Sequence, residues 1–127
     1  MRVRAAGVII KDNQILLMHR RKNGQEYWVV PGGKVEEGET SDQAVKREIK
    51  EELNLDVTRC EKSFETEDPI SRTIFFRCEI SEGNPQLGGP ELSRNSPSNW
   101  YQPEWVSLES LPKLKFFPTD AKPHLVS

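Results

Sequence analysis

At Thr40 the hydrophobic period of this chain changes. Ala44, Val45, Ile49 and Leu53 recur at helical spacing, whereas the apolar runs on either side are short and rich in β-branched and aromatic residues. Thr40 suits an N-cap, Gln43 completes a capping box, and Asn54 suits a left-handed residue after the last turn, so a helix is predicted between Thr40 and Asn54. Before it, residues 3–10 and 15–18 read as a hairpin across the polar turn 11–14, and residues 27–30 as a third strand that Pro31-Gly32-Gly33 ends. After it, residues 55–58, 72–80 and a short run at 105–108 are strand candidates separated by polar, proline-containing stretches. Residues 81–99 read as a long loop, and 112–123 are too proline-broken for a long helix. The order β-β-β-α-β-β-β predicts an α/β chain, a mixed sheet with a helix packed on it. Its 127 residues suit a single domain, 1–127.

Composition narrows the partners. Eighteen lysines and arginines against twenty acidic residues leave a net charge of −2 and a pI of about 5.8, which supplies no basic stripe for nucleic acid or an anionic membrane. The N-terminal apolar run is too short for a membrane span and lacks a signal-peptide pattern, so a cytoplasmic chain with no membrane partner is expected. Cys60 and Cys78 match neither a CxxC nor a zinc spacing and are expected to be reduced, buried or half-buried thiols.

Carboxylates crowd the predicted helix. Glu48, Glu51 and Glu52 stand at i, i+3 and i+4, within roughly a 100° arc beside the Val45/Ile49/Leu53 stripe. Like charges at i, i+4 cost about 0.2–0.5 kcal/mol a pair on an isolated helix, so something positive must offset them. Two readings are open: a hard divalent cation such as magnesium, which takes oxygen ligands and substrate phosphates, or a solvated acidic face balanced by Lys46, Arg47 and Lys50.

The full string from Gly33 to Leu55 resembles the Nudix box, G-x5-E-x7-R-E-U-x-E-E-x-G-U with U a bulky aliphatic residue. Gly33, Glu39, Arg47, Glu48, Ile49, Glu51, Glu52 and Leu55 fill eight of the nine specified positions, and Asn54 replaces the final glycine. Asparagine tolerates the same left-handed geometry. The resemblance implies the Nudix fold, a mixed β-sheet sandwiched with helices (α/β/α), and Mg²⁺-dependent hydrolysis of a nucleoside diphosphate linked to another moiety, with Mn²⁺ able to substitute. It implies metal ligation by Glu48, Glu51, Glu52 and the main-chain carbonyl of Gly32, with Arg47 holding the glutamates and Glu39 bracing the loop–helix junction.

Residues 101–108, which include Gln102-Pro103-Glu104-Trp105, look like a stretch of the mutator-type 8-oxo-dGTP pyrophosphatases. There a glutamate before a tryptophan is a further metal ligand or general base, a role this resemblance transfers to Glu104; the alternative is an exposed glutamate at a strand start. Glu91 is a weaker competitor, and whether Glu48 or Glu104 is the base stays open. His19-Arg20-Arg21 stands where the same subgroup carries an arginine pair for substrate phosphates, so Arg20 and Arg21 are phosphate candidates or a solvated basic strand end. Trp28 either stacks on a base or belongs to the core; Tyr27, Trp100 and Tyr101 offer further stacking surfaces, and Asp120 a base-edge contact.

The expected substrate is an ordinary or oxidised (d)NTP, cleaved to the monophosphate and pyrophosphate. ADP-ribose or another sugar nucleotide is the alternative, because Pro69 lies fifteen residues past Asn54, near where ADP-ribose hydrolysing members carry a proline. A nucleotide sensor without turnover is the reading from another class; it is opposed by the retention of every box glutamate. RNA end processing is disfavoured by the acidic pI. A homodimer is a family habit that the resemblance brings with it.

Overall fold

In a computed structural model, which describes residues 2–117 and 119–125, the apolar runs form two sheets where a single one was expected. The strands are β1 (Arg2–Val8), β2 (Ile10–Lys11), β3 (Gln14–Lys22), β4 (Gln25–Val29), β5 (Gly32–Lys34), β6 (Val57–Glu67), β7 (Ser71–Ile80), β8 (Asn99–Ser107) and β9 (Phe116–Phe117). The helices are α1 (Ser41–Leu53) and the short α2 (Gly89–Arg94), with 3-10 turns at Leu111–Lys113 and Thr119–His124. One sheet runs β5-β1-β7-β6; the other runs β2-β3-β4-β9, with β8 also paired to β3.

The expected first hairpin is therefore only two residues deep. Ile10 and Lys11 pair with β3, while β1 lies parallel to β7 and antiparallel to β5 in the other sheet. Fully buried Ala5 and nearly buried Ala6 explain the switch: small side chains let β5 approach β1 closely. A Cβ on Gly32 would sit 2.2 Å from the Ala5 carbonyl oxygen, so this glycine does not end a strand but builds one. Gly32→Ala is expected to lower the thermal midpoint by roughly 5–15 °C, because rigid backbone must give way; calorimetry checks it.

The α1 boundaries are those its residues predict. The Thr40 amide donates to Gln43 Oε1 at 2.9 Å, the Gln43 amide to Thr40 Oγ1 at 3.4 Å, and Asn54 takes φ 55°, ψ 38° while its amide donates to the Lys50 carbonyl. Val45, Ile49 and Leu53 are fully buried in a cluster with Ala5, Leu16 and Met18. Ile15, Leu17, Phe75, Phe116 and Leu125 form a second cluster.

The most polar strand is the least foreseen. β6 extends through residues 59–67, a stretch in which five of nine residues are charged, because it is an edge strand held by pairing to β7 and by Arg72 and Lys62 on Glu65. Asp68 closes its hairpin, accepting from the amides of Ile70 and Ser71 at 2.9 and 2.8 Å. β8 likewise starts at Asn99, six residues before the apolar signal. Cys78 is buried and Cys60 half-buried, and both are free thiols, directly opposite one another on β7 and β6. Among the described residues no helix is long and apolar enough to cross a membrane.

Candidate active site

Arg47 organises the acidic end of α1. Its Nε and Nη2 grip both oxygens of Glu39 at 2.7 and 3.0 Å, and Nη2 also donates to the Lys34 carbonyl at 3.0 Å. Nη1 donates to Glu48 at 2.9 Å and to Glu51 at 3.3 Å. One guanidinium thus ties the turn before α1, β5 and two helix glutamates together, which a point-charge lysine could not do. Glu39 also accepts from the Glu36 amide at 3.0 Å. Arg47 first, then that amide, hold the Glu39 carboxyl down at about 2.

The Glu39 tie has a definite sign with pH. A carboxyl depressed in the folded state adds stability above its unfolded value, about 4.3, and loses it as pH falls through the folded value of about 2. Glu39→Gln is expected to melt below wild type at pH 7, with the gap closing between about pH 4 and pH 2. Thermal melts of both proteins across that range check it.

Burial is graded across the three glutamates. The Glu51 side chain is 48% exposed and Glu48 16%, while Glu52 is buried at 5%. Glu48 lies flat on β5: a Cβ on Gly33 would meet its carboxyl carbon at 2.4 Å. The loop after β7 closes over the end of α1, with the Gln86 and Gly88 amides donating to the Leu53 and Glu52 carbonyls at 2.9 and 2.7 Å. Among the described residues no three acidic, histidine or cysteine side chains stand ready-grouped as a cation cage. Glu48 and Glu51 face the guanidinium instead. The donor set is nonetheless all oxygen, the chemistry a hard divalent cation takes.

A cavity of about 440 Å³ lies between the sheets, lined by Arg4, Ala6 and Phe75 on one side and Arg20, Tyr27 and Val29 on the other. Glu67 and Asp68 stand on its rim. Among the described residues none of β5 lines it; it meets β1, whose Arg4 and Ala6 pair with Lys34 and Gly32 and alternate away from Ala5, the partner of the Gly33 on which Glu48 lies. Arg20 lies over the Tyr101 ring, 3.7 Å from its centroid, and donates to the Trp100 carbonyl and to Asn99 Oδ1.

Three expected site residues lie elsewhere. Register pairs Glu104 with Leu17 and Trp105 with Leu16; Leu16 and Trp105 pack with the α1 stripe, so alternation turns Glu104 to the other face. There its Oε1 is 3.4 Å from Nδ1 of buried His19, and the expected convergence with Glu48, Glu51 and Glu52 does not occur. Trp28 stacks on the His19 ring at 3.9 Å and packs against the second core cluster, which is the core alternative rather than a base platform. Arg21 alternates away from Arg20, so the arginine pair is split; it lies over Trp100 and donates to Glu26 at 3.1 Å. The side chains of Glu91 and Asp120 lie outside the described residues.

The NUDIX domain model matches residues 1–125. The chain belongs to the NUDIX family. A curated relative, the 8-oxo-dGTP diphosphatase of Haemophilus influenzae, is 32% identical over 93% of this chain and 85% of its own length. The ADP-ribose pyrophosphatase of Methanocaldococcus jannaschii is 36% identical over 87% of this chain, which spans 64% of that relative. Among solved structures, the MutT NUDIX hydrolase of Burkholderia pseudomallei superposes with a TM-score of 0.76 at 27% identity, over 99% of this chain and 98% of that one. The α/β Nudix fold and membership among the Nudix pyrophosphohydrolases follow, and such hydrolases generally use divalent metal ions.

Two contacts made by β3 had no signal in the sequence. His19 sits between Glu104 and Glu26, its Nε2 buried and 2.9 Å from the Glu26 carboxylate without hydrogen-bond alignment. Asn99 reaches Arg20 from seventy-nine residues away. The His19–Glu104 and Arg20–Asn99 contacts both depend on the pairing of β3 with β8.

Proposed function

We propose that this Nudix chain hydrolyses an ordinary or oxidised (d)NTP to the monophosphate and pyrophosphate, with Mg²⁺ as its cation and Mn²⁺ as a substitute. The observation that carries the reading is the Arg47 network, which concentrates Glu48 and Glu51 beside buried Glu52 on α1 and ties them to β5, the strand paired with β1. Glu48, Glu51, Glu52 and the Gly32 carbonyl hold the cation, whose chemistry when bound is to neutralise the diphosphate and acidify a water. Arg47 and Glu39 orient the glutamates. Glu48, lying on β5, accepts the proton. Arg20 takes a phosphoryl oxygen, and the apolar floor of Ala6, Val29 and Phe75 receives the nucleoside. The relative from Haemophilus influenzae, whose name is 8-oxo-dGTP diphosphatase, supports this substrate class.

ADP-ribose is the second reading, favoured by the relative from Methanocaldococcus jannaschii and by Pro69, which follows the rim residue Asp68. A panel of (d)NTPs, 8-oxo-dGTP, ADP-ribose and nucleotide sugars with Mg²⁺ separates them by product. Pyrophosphate plus a monophosphate supports the first, AMP plus ribose phosphate the second. Tight nucleotide binding with no turnover of any member in Mg²⁺ or Mn²⁺ supports a sensor.

A further inference from the structure

Arg20 is held differently from the other tethered arginines. Arg21, Arg47, Arg59 and Arg72 each have a carboxylate within ion-pair distance. Every contact of Arg20 among the described residues is to a neutral group. Nη2 donates to Asn99 Oδ1 at 2.5 Å and Nε to the Trp100 carbonyl at 3.3 Å, while the guanidinium lies over the rings of Tyr101 and, at 5.7 Å, Tyr27. Of its five N–H groups two are so used, leaving three without a hydrogen-bond partner among the described residues on a side chain that lines the cavity. A cation fixed in direction but not neutralised is what an anion subsite needs.

Asn99 is anchored independently of that contact. Its amide donates to the Ser96 carbonyl and its carbonyl accepts from the Ser96 amide, both at 3.1 Å, closing the turn from which β8 starts. The side chain is therefore free of any duty in the strand itself, and its amide oxygen is spent on Arg20. An aspartate there would be the same shape and would hold Arg20 more strongly, yet it would place a negative charge against the guanidinium.

We propose that Asn99 is a positioning residue for substrate: its uncharged oxygen aims Arg20 into the inter-sheet cavity while leaving the positive charge available to a phosphoryl group. This rests on the reading of the cavity as the nucleotide site. The test compares wild type, Asn99→Asp and Asn99→Ala by calorimetric titration with dGMP, deoxyguanosine and inorganic pyrophosphate, together with thermal midpoints and kcat and KM on the best triphosphate. Asn99→Asp is expected to weaken dGMP and pyrophosphate binding and raise KM by roughly tenfold, at near-unchanged kcat, with deoxyguanosine binding unaltered and a midpoint at or above wild type. Asn99→Ala is expected to fall between the two.

A merely structural Asn99 makes the opposite prediction, with the alanine variant losing stability and the aspartate variant restoring both stability and wild-type KM; that result overturns the proposal. If wild type binds pyrophosphate but neither nucleotide probe, the nucleotide reading fails while the aspartate variant still reports on the anion subsite. If wild type binds none of the three probes, both fall.

Discussion

Glu52→Gln is expected to lower kcat/KM in Mg²⁺ by roughly a hundred- to a thousandfold while the protein stays folded. Glu52 is the most buried of the three glutamates, at 5% exposure, and sits on the inner side of α1 beside Leu53. Glutamine keeps its shape and one oxygen but removes the charge a hard cation requires. Metal-assisted charge stabilisation is worth several kcal/mol, and each 1.4 kcal/mol is about tenfold in rate. Neutralising one of three like charges on a helix face removes repulsion, so the metal-free melting temperature should be unchanged or higher. The measurement pairs kinetics with melts in the presence and absence of Mg²⁺. Near wild-type turnover, or an equal Mg²⁺-induced shift in both proteins, removes Glu52 from the ligand set.

Arg47→Lys is expected to cost roughly ten- to a hundredfold in activity through a weaker hold on the cation, not through loss of the fold. Arg47 engages Glu39 with two parallel bonds, Lys34 with a third and Glu48 and Glu51 with the remainder. An ammonium keeps the charge but offers no planar fork, so Glu39 can be held while Glu48 and Glu51 lose their fixed directions. The signature of that positioning role is a rise in the Mg²⁺ concentration for half-maximal rate, with activity partly recovered at saturating Mg²⁺. A variant whose Mg²⁺ dependence matches wild type assigns Arg47 to stability alone.

What could be read along the chain was what is local. Thr40, Gln43 and Asn54 act within one turn of α1, and Glu39 reaches Arg47 over eight residues, so caps, stripe and acidic cluster were legible from spacing. Charged β6 was not legible, because an edge strand owes its conformation to β7 and need not alternate. Nor was the split between sheets, which turns on small Ala5 and Ala6 admitting Gly32 at close range.

The placing of Glu104, Trp28 and Arg21 shows the boundary most clearly. Each has a residue type that suits chemistry, but in a strand the face is decided by register, and one residue of shift exchanges the two faces. The sequence by itself determined the family, the helix and the common face of Glu48, Glu51 and Glu52, since a helix sets side-chain direction from within. Only the tertiary structure decided which of His19, Arg20 and Arg21 meets the cavity, and that Asn99 aims it, because strand faces and cross-strand partners come from chain segments far apart.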